Sequence, residues 1–211
     1  MLLNFDYDGV LVDSRDQLLA ALAAAQARLR CGRAPTRADL ETIPSFTFAE
    51  VGRLCGVPEP RLTAYSDAVL ERLRRDREQP PLFPGIARTI AVLAAHHTLV
   101  IVTANLRQTV ESVLRRERLL PWITCILDLR DPGTKGEKIT LLRRSFGWGE
   151  GETYMIGDAM SDVRQGKLAG VRTVAAAWGM QRRELLLAED PDFVADRPEE
   201  LLPILGIAEE P

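Results

Sequence analysis

Two aspartates one residue apart, Asp6 and Asp8, follow directly on a short apolar run in Phe5-Asp6-Tyr7-Asp8-Gly9-Val10. Open α/β sheets bind their ligands just beyond the carboxyl ends of strands. Of two carboxylates placed there, one can attack phosphorus as a nucleophile while the other moves protons. Held together they repel each other, and a divalent cation relieves that cost. Hard oxygen donors favour magnesium over zinc. Asp-Gly between apolar runs is also a hairpin-turn signal, so this motif alone leaves two readings open.

Three further groups sit at or near the end of an apolar run. In Ile156-Gly157-Asp158-Ala159-Met160-Ser161-Asp162, Asp158 is a candidate ligand for the same cation. Asp162 lies four residues on and would face the same way if a helix starts there; helix capping by aspartate is the competing reading. In Val102-Thr103-Ala104-Asn105, a hydroxyl and free amides at a helix entry suit a phosphate oxyanion, with a simple N-cap as the alternative. Lys135 and Lys138 lie ahead of the helix that precedes the Asp158 run. A lysine near the site would offset phosphate charge and orient the nucleophile, whereas most lysines are merely solvated.

The elements that must position these groups are legible as patterns. Apolar runs at Leu2 to Phe5, Leu99 to Val102, Ile123 to Leu127, Tyr154 to Ile156 and Val171 to Ala176 read as strands. Helical patterns lie between most of them: Ile86 to Ala95, Arg107 to Arg118, Lys138 to Phe146, and Ser161 to Ala169, the last stopped by Gly170. Continuous apolar strands alternating with helices predict an α/β, Rossmann-like core, its mostly parallel sheet flanked by helices. One interval breaks the rhythm. Residues 14–81 read as helices throughout: one capped by Ser14 and running to Arg30, one with the stripe Phe48, Val51, Leu54 and Cys55, and one with Leu62, Tyr65, Val69 and Leu73. The division expected is a core of residues 1–13 and 82–211 with a helical domain of residues 14–81 inserted into it.

Size and composition fit this plan. A chain of 211 residues can bury roughly 70% of its unfolded surface and needs no disulfide or metal to fold. A net charge of −3 supplies no concentrated positive field, so a nucleic-acid partner is not expected. Cys31, Cys55 and Cys125 form no C-x-x-C pair, which argues against a zinc knuckle or disulfide framework and suits a reducing cytosol. No run reaches the ~18 apolar residues of a membrane span, and no basic region precedes an apolar stretch at the N-terminus. A cytoplasmic protein, monomer or homodimer, is expected.

Taken together and in this order, the four groups resemble the motifs of the haloacid-dehalogenase-like superfamily, across essentially the whole chain. Asp6 to Ser14 (DYDGVLVDS) and Val174 to Gly179 (VAAAWG) are similar to the phosphoglycolate-phosphatase and β-phosphoglucomutase branch. The helical insertion sits where that branch keeps its cap domain. The resemblance implies a Mg2+-dependent phosphatase acting on a small phosphorylated metabolite. Asp6 would form an aspartyl-phosphate; Asp8 would protonate the leaving oxygen and then activate water. Asp6, the Asp8 carbonyl and Asp158 would hold magnesium. Thr103 and the amides of Ala104 and Asn105 would bind the phosphoryl group, with Lys135 pairing with that group and with Asp6. Asp162 would support the lysine or a metal-bound water. The family lysine is often followed by proline, and here Gly136 follows Lys135; the Leu141-Leu142 pair, six and seven residues on, favours Lys135 over Lys138.

Dehalogenases of the superfamily carry a non-acidic residue at the position of Asp8, and phosphonate-cleaving relatives need a cap lysine that residues 14–84 lack. A sugar phosphomutase would use the same four motifs, and a non-catalytic binding protein is the non-enzyme alternative. The segment Thr42 to Thr47 joins two cap helices and is expected to reach over the site. Hinges are expected near Val12 to Asp13 and near Pro81 to Pro84.

Overall fold

The computed structural model describes residues 1–43, 47–76 and 79–208. Six strands form one sheet in the order β3-β2-β1-β4-β5-β6, every neighbouring pair parallel. They are β1 (Leu2–Phe5), β2 (Thr98–Val102), β3 (Cys125–Leu127), β4 (Thr153–Gly157), β5 (Arg172–Ala176) and β6 (Phe193–Ala195). Helices α5 (Ile86–Ala94), α6 (Arg107–Arg116), α7 (Lys135–Phe146), α8 (Met160–Leu168), α9 (Arg183–Ala188) and α10 (Leu201–Ile204) connect and cover them.

Both sheet faces are covered, which explains the unbroken apolar runs. Successive strand residues point to opposite faces. Leu3, Phe5, Leu99, Ile101, Tyr154 and Ile156 pack into one core with Ile86, Ile90 and Val110. Leu2, Val100, Val102 and Met155 pack into the other with Ile139 and Leu142. β1 lies at the centre, so Asp6 leaves the sheet at the middle of its carboxyl edge.

Between β1 and β2 the chain forms α1 (Arg15–Leu29), α2 (Arg37–Thr42), α3 (Phe48–Leu54) and α4 (Leu62–Arg75). These helices share an apolar cluster of their own, built around Leu22, Leu40, Val51, Tyr65 and Val69. The chain leaves and re-enters the core side by side: Val12 bridges Leu82, Asp13 N–H donates to Pro81 O at 2.9 Å, and Phe83 N–H donates to Leu11 O at 3.0 Å. Residues 44–46, which include the middle of the Thr42 to Thr47 segment, lie outside the described residues. No helix among the described residues is long and apolar enough to cross a membrane.

Several sequence expectations need correction. Strand β3 is shorter than the Ile123 to Leu127 run, because Ile123 ends a tight turn begun at Leu120. Helix α7 starts at Lys135 rather than Lys138. A capping box sets that start: Thr134 Oγ1 accepts from Glu137 N–H at 3.3 Å, and the Glu137 carboxylate accepts from Thr134 N–H at 2.7 Å. Leu54, one residue of the apolar stripe read along α3, is 49% exposed, since α3 ends there. Strand β6, only three residues long, escaped the pattern reading. The arginine-rich faces of α1 and α4 are solvated and paired, Arg28 and Arg75 both with Glu71, and such exposed pairs contribute little.

Candidate active site

The groups singled out in the sequence converge at the carboxyl edge of β1 and β4. Asp6 follows β1, held in line by its N–H donating to Ile156 O at 2.9 Å. Its carboxylate accepts from Tyr7 N–H at 2.7 Å and lies 2.9 Å from Lys135 Nζ. The same ammonium reaches Asp162 Oδ1 at 2.6 Å. Asp6, Asp158 and Asp162 each bring an oxygen within 4.8 Å of the others'. Asp158 precedes α8 rather than riding on it. Asp162, at the third helical position, turns back to accept from Ala159 N–H at 3.2 Å, while its other oxygen pairs with Lys135.

Exposure separates the roles these groups can play. The Asp6 and Lys135 side chains are 15% and 18% exposed and can meet a ligand; that of Asp162, 2% exposed, is sealed beneath Lys135. Asp158 is buried and held by Met180 N–H at 2.7 Å. Glycines make room around it. Gly9 adopts φ +78°, and a Cβ there would lie 1.9 Å from Asp158 Oδ2; one on Gly179 would lie 2.2 Å from Asp158 Cβ. The glycines of Asp-Gly and Trp-Gly are thus required by close approach to one carboxylate.

Electrostatics follow from burial. Burial pushes the Asp6 carboxyl up to about 7 despite the opposing charge of Lys135, with Asp162 raising it further. Burial also raises Asp158 well above its ordinary value, reinforced by Asp162 and Asp6. Burial works against charge on Lys135, but Asp162 and Asp6 outweigh it and its pKa rises. Were all three carboxyls ionised, one ammonium would leave the cluster net negative, and that repulsion is part of what raises Asp6 and Asp158. That deficit, with an all-oxygen donor set, fits a hard divalent cation. Asp6 and Asp158 have carboxylate oxygens to offer it. Asp162 brings an oxygen to the same cluster, but both its oxygens are engaged by Lys135 and Ala159 and it is sealed from solvent, whereas Asp6, engaged by Tyr7 N–H and Lys135, stays partly open.

Asp8 stands apart from that cluster. Its Oδ2 accepts from Asn105 Nδ2 at 3.1 Å, and the Ser14 hydroxyl donates to the same carboxylate. Burial raises its pKa and those two donors oppose the rise. If Asp8 contributes to a cation site, its main-chain carbonyl is the atom left to do so. Ser14 is the residue sequence reading missed. It stands at the N-cap position of α1, but its side chain makes no cap hydrogen bond.

Thr103 is buried at the end of β2, its Oγ1 accepting from Asn105 N–H at 3.0 Å. That leaves the hydroxyl proton for an outside acceptor. The exposed Ala104 N–H has no main-chain acceptor among the described residues. Asn105 is committed to Asp8 and Thr103 rather than presented to a ligand. Lys138 does not reach the site. It is buried, donating from Nζ to Asp128 O at 2.6 Å.

Two outcomes follow. Lys135→Ala should lower kcat/KM by about 10³-fold, the scale of losing one charge-stabilising donor. Lys138→Ala should retain activity within a few-fold and lose about 2 kcal/mol of stability. A dead Lys138 variant beside an active Lys135 one would move the role to Lys138. The second concerns pH without a divalent cation. A carboxyl raised from 3.8 to about 7 by folding keeps its proton longer in the folded state. The stability it contributes is therefore present below its unfolded pKa and lost as pH rises through about 7. In chelator, the melting temperature should fall from about pH 5 to about pH 8, and magnesium should offset the fall because it binds the ionised carboxylates. Equal slopes with and without magnesium would contradict this.

Comparisons with known proteins agree with the geometry. A family model described as haloacid dehalogenase-like hydrolase matches residues 3–176. A phosphoglycolate phosphatase of Synechococcus elongatus is 27% identical over 199 residues, covering 94% of this chain and 93% of the relative. A pyrophosphatase, PpaX, of Bacillus pumilus is 27% identical over 211 residues, covering 96% and 94%. Among solved structures, a haloacid dehalogenase-like family hydrolase of Streptococcus pneumoniae superposes with a TM-score of 0.86 over 96% of this chain and 97% of its own. At 19% identity, that likeness carries the fold alone.

Proposed function

The chain belongs to the haloacid dehalogenase-like hydrolases, and from that premise we propose that it is a magnesium-dependent phosphatase working through an aspartyl-phosphate on Asp6. The observation that carries this reading is the pairing of Asp6, partly open at the carboxyl end of β1, with Lys135 Nζ at 2.9 Å. Relatives named phosphoglycolate phosphatase and pyrophosphatase support it and point to a small phosphorylated metabolite.

The residues divide the work as follows. Lys135, the Thr103 hydroxyl and the Ala104 N–H receive the phosphoryl oxygens and stabilise the charge that builds on them. An Asp6 oxygen bonds to phosphorus as the ester bond breaks, and Asp8 gives its proton to the departing oxygen. Asp8, now ionised, takes a proton from water as that water bonds to phosphorus and Asp6 departs. Asp162 keeps Lys135 charged and aimed. Magnesium, held by Asp6, Asp158 and the Asp8 carbonyl, would supply positive charge to the same phosphoryl oxygens.

Residues 14–81 act as a cap domain that closes over the site and excludes stray water. The three cysteines are free, which supports a reducing, cytoplasmic setting.

Phosphate release from phosphoglycolate, pyrophosphate and hexose phosphates, with magnesium and with chelator, tests the proposal. Magnesium-dependent release supports it and the best substrate names the branch. Turnover of a hexose 1-phosphate to its 6-phosphate isomer without release would replace it with a phosphomutase.

A further inference from the structure

Five consecutive residues after β5 stitch the carboxylate centre to the helical insertion. Trp178 Nε1–H donates to Val10 O at 3.1 Å, in the loop after Asp8. The carbonyl of Gly179 accepts from the Arg15 guanidinium at the start of α1. Met180 N–H holds Asp158 Oδ2, while the Met180 side chain is buried in the apolar cluster of α1–α4. Arg182 N–H donates to Glu41 O at 3.2 Å, and its guanidinium pairs with the Glu41 carboxylate, also at 3.2 Å.

Gln181 is the pivot of this segment. It is 3% exposed and its amide is divided between two units. Oε1 accepts from Met160 N–H at 2.6 Å, the first residue of α8, the helix that carries Asp162. Nε2 donates to Ile43 O at 2.5 Å, just past the end of α2 in the insertion. A buried amide satisfied only when both units are in place makes the seating of one depend on the other.

We propose that Gln181 is a positioning residue that latches the helical insertion onto the core, joining cap closure to the strap that holds Asp158 and to the helix that holds Asp162. The inference deepens the phosphatase reading and rests on it for its kinetic consequence. Beside the contacts of Arg15, Met180 and Arg182, Gln181 adds one neutral hydrogen bond to the insertion, a contribution small enough for substrate binding to offset. Weakening the latch lowers the closed fraction of free enzyme and so raises KM, while saturating substrate restores closure and kcat.

Two variants separate this from local packing. Gln181→Glu keeps an acceptor for Met160 N–H but has no donor for Ile43 O; Gln181→Met loses both. We expect KM for the parent's best phosphate ester to rise about fivefold to tenfold in both variants, with kcat within about twofold and an unchanged magnesium activation constant. We also expect the radius of gyration from X-ray scattering of both to exceed that of the parent, which should be near the roughly 17 Å of a compact chain of this length. Parent-like KM and radius in Gln181→Glu, with impairment only in Gln181→Met, would reduce Gln181 to a cap on α8 and overturn the latch. A parent that releases no phosphate sinks the phosphatase reading. The latch is then judged on scattering alone: larger radii in both variants support it, and unchanged radii overturn it.

Discussion

Asp6→Asn is expected to lower phosphate release by about 10⁴-fold or more, because the amide cannot bond to phosphorus and leave again as a carboxylate does. The same substitution should leave the fold intact and raise the melting temperature of the metal-free protein near pH 8. Burial and the neighbouring Asp162 already push the Asp6 carboxyl up to about 7, so its ionised form is costly where no cation is bound. An amide of nearly the same shape removes that charge, and its single oxygen still accepts from Tyr7 N–H, which now meets Oδ1 of the carboxylate, while the contact of the other oxygen with Lys135 is lost. A residue that destabilises its own fold and is needed for turnover is the expected signature of a functional site. Activity within tenfold of the parent would remove Asp6 from the nucleophile's role; a lower melting temperature in chelator would contradict the electrostatic account.

Asp8→Asn is expected to cost about 10² to 10⁴ in kcat, the range of general acid–base catalysis. The loss should be uneven. Burial raises the Asp8 carboxyl above its ordinary pKa, in the direction a proton donor needs, although hydrogen bonds from Ser14 and Asn105 oppose this. Alkyl phosphates need that proton for their leaving oxygen, whereas p-nitrophenyl phosphate leaves without it. With the nitrophenyl ester, the first step should survive in the variant and the second, which needs a base for water, should stall. A burst of nitrophenol followed by a slow steady rate is the result expected. Equal losses with both leaving groups, and no burst, would argue that Asp8 acts by position or charge alone.

The sequence made the centre of this site legible because its parts are local. Asp6 and Asp8 sit one residue apart after a short apolar run that reads as a strand, and Gly157-Asp158-x-x-x-Asp162 repeats that logic. What escaped was of two kinds. Thr134-x-x-Glu137 is a local capping-box signal for the start of α7 at Lys135, which brings that lysine to Asp6. The other misses depend on distant contacts. Nothing near Ser14 says that its hydroxyl turns from α1 towards Asp8. Nothing near Gln181 says that it meets Ile43, 138 residues away. Phe193–Ala195 is too short to announce a strand until β5 supplies its partner. The exposure of Leu54 was hidden for a related reason: periodicity shows an apolar face, and only packing shows where that face ends.

The most direct test is acid-quenched mass spectrometry of Asp8→Asn, taken within the burst after mixing with p-nitrophenyl phosphate and magnesium. The account predicts one added phosphoryl group, confined to the peptide containing Asp6 and absent when Asp6 is also changed to Asn. A burst of nitrophenol with no phosphoryl group on that peptide, or with one on a different residue, would contradict it.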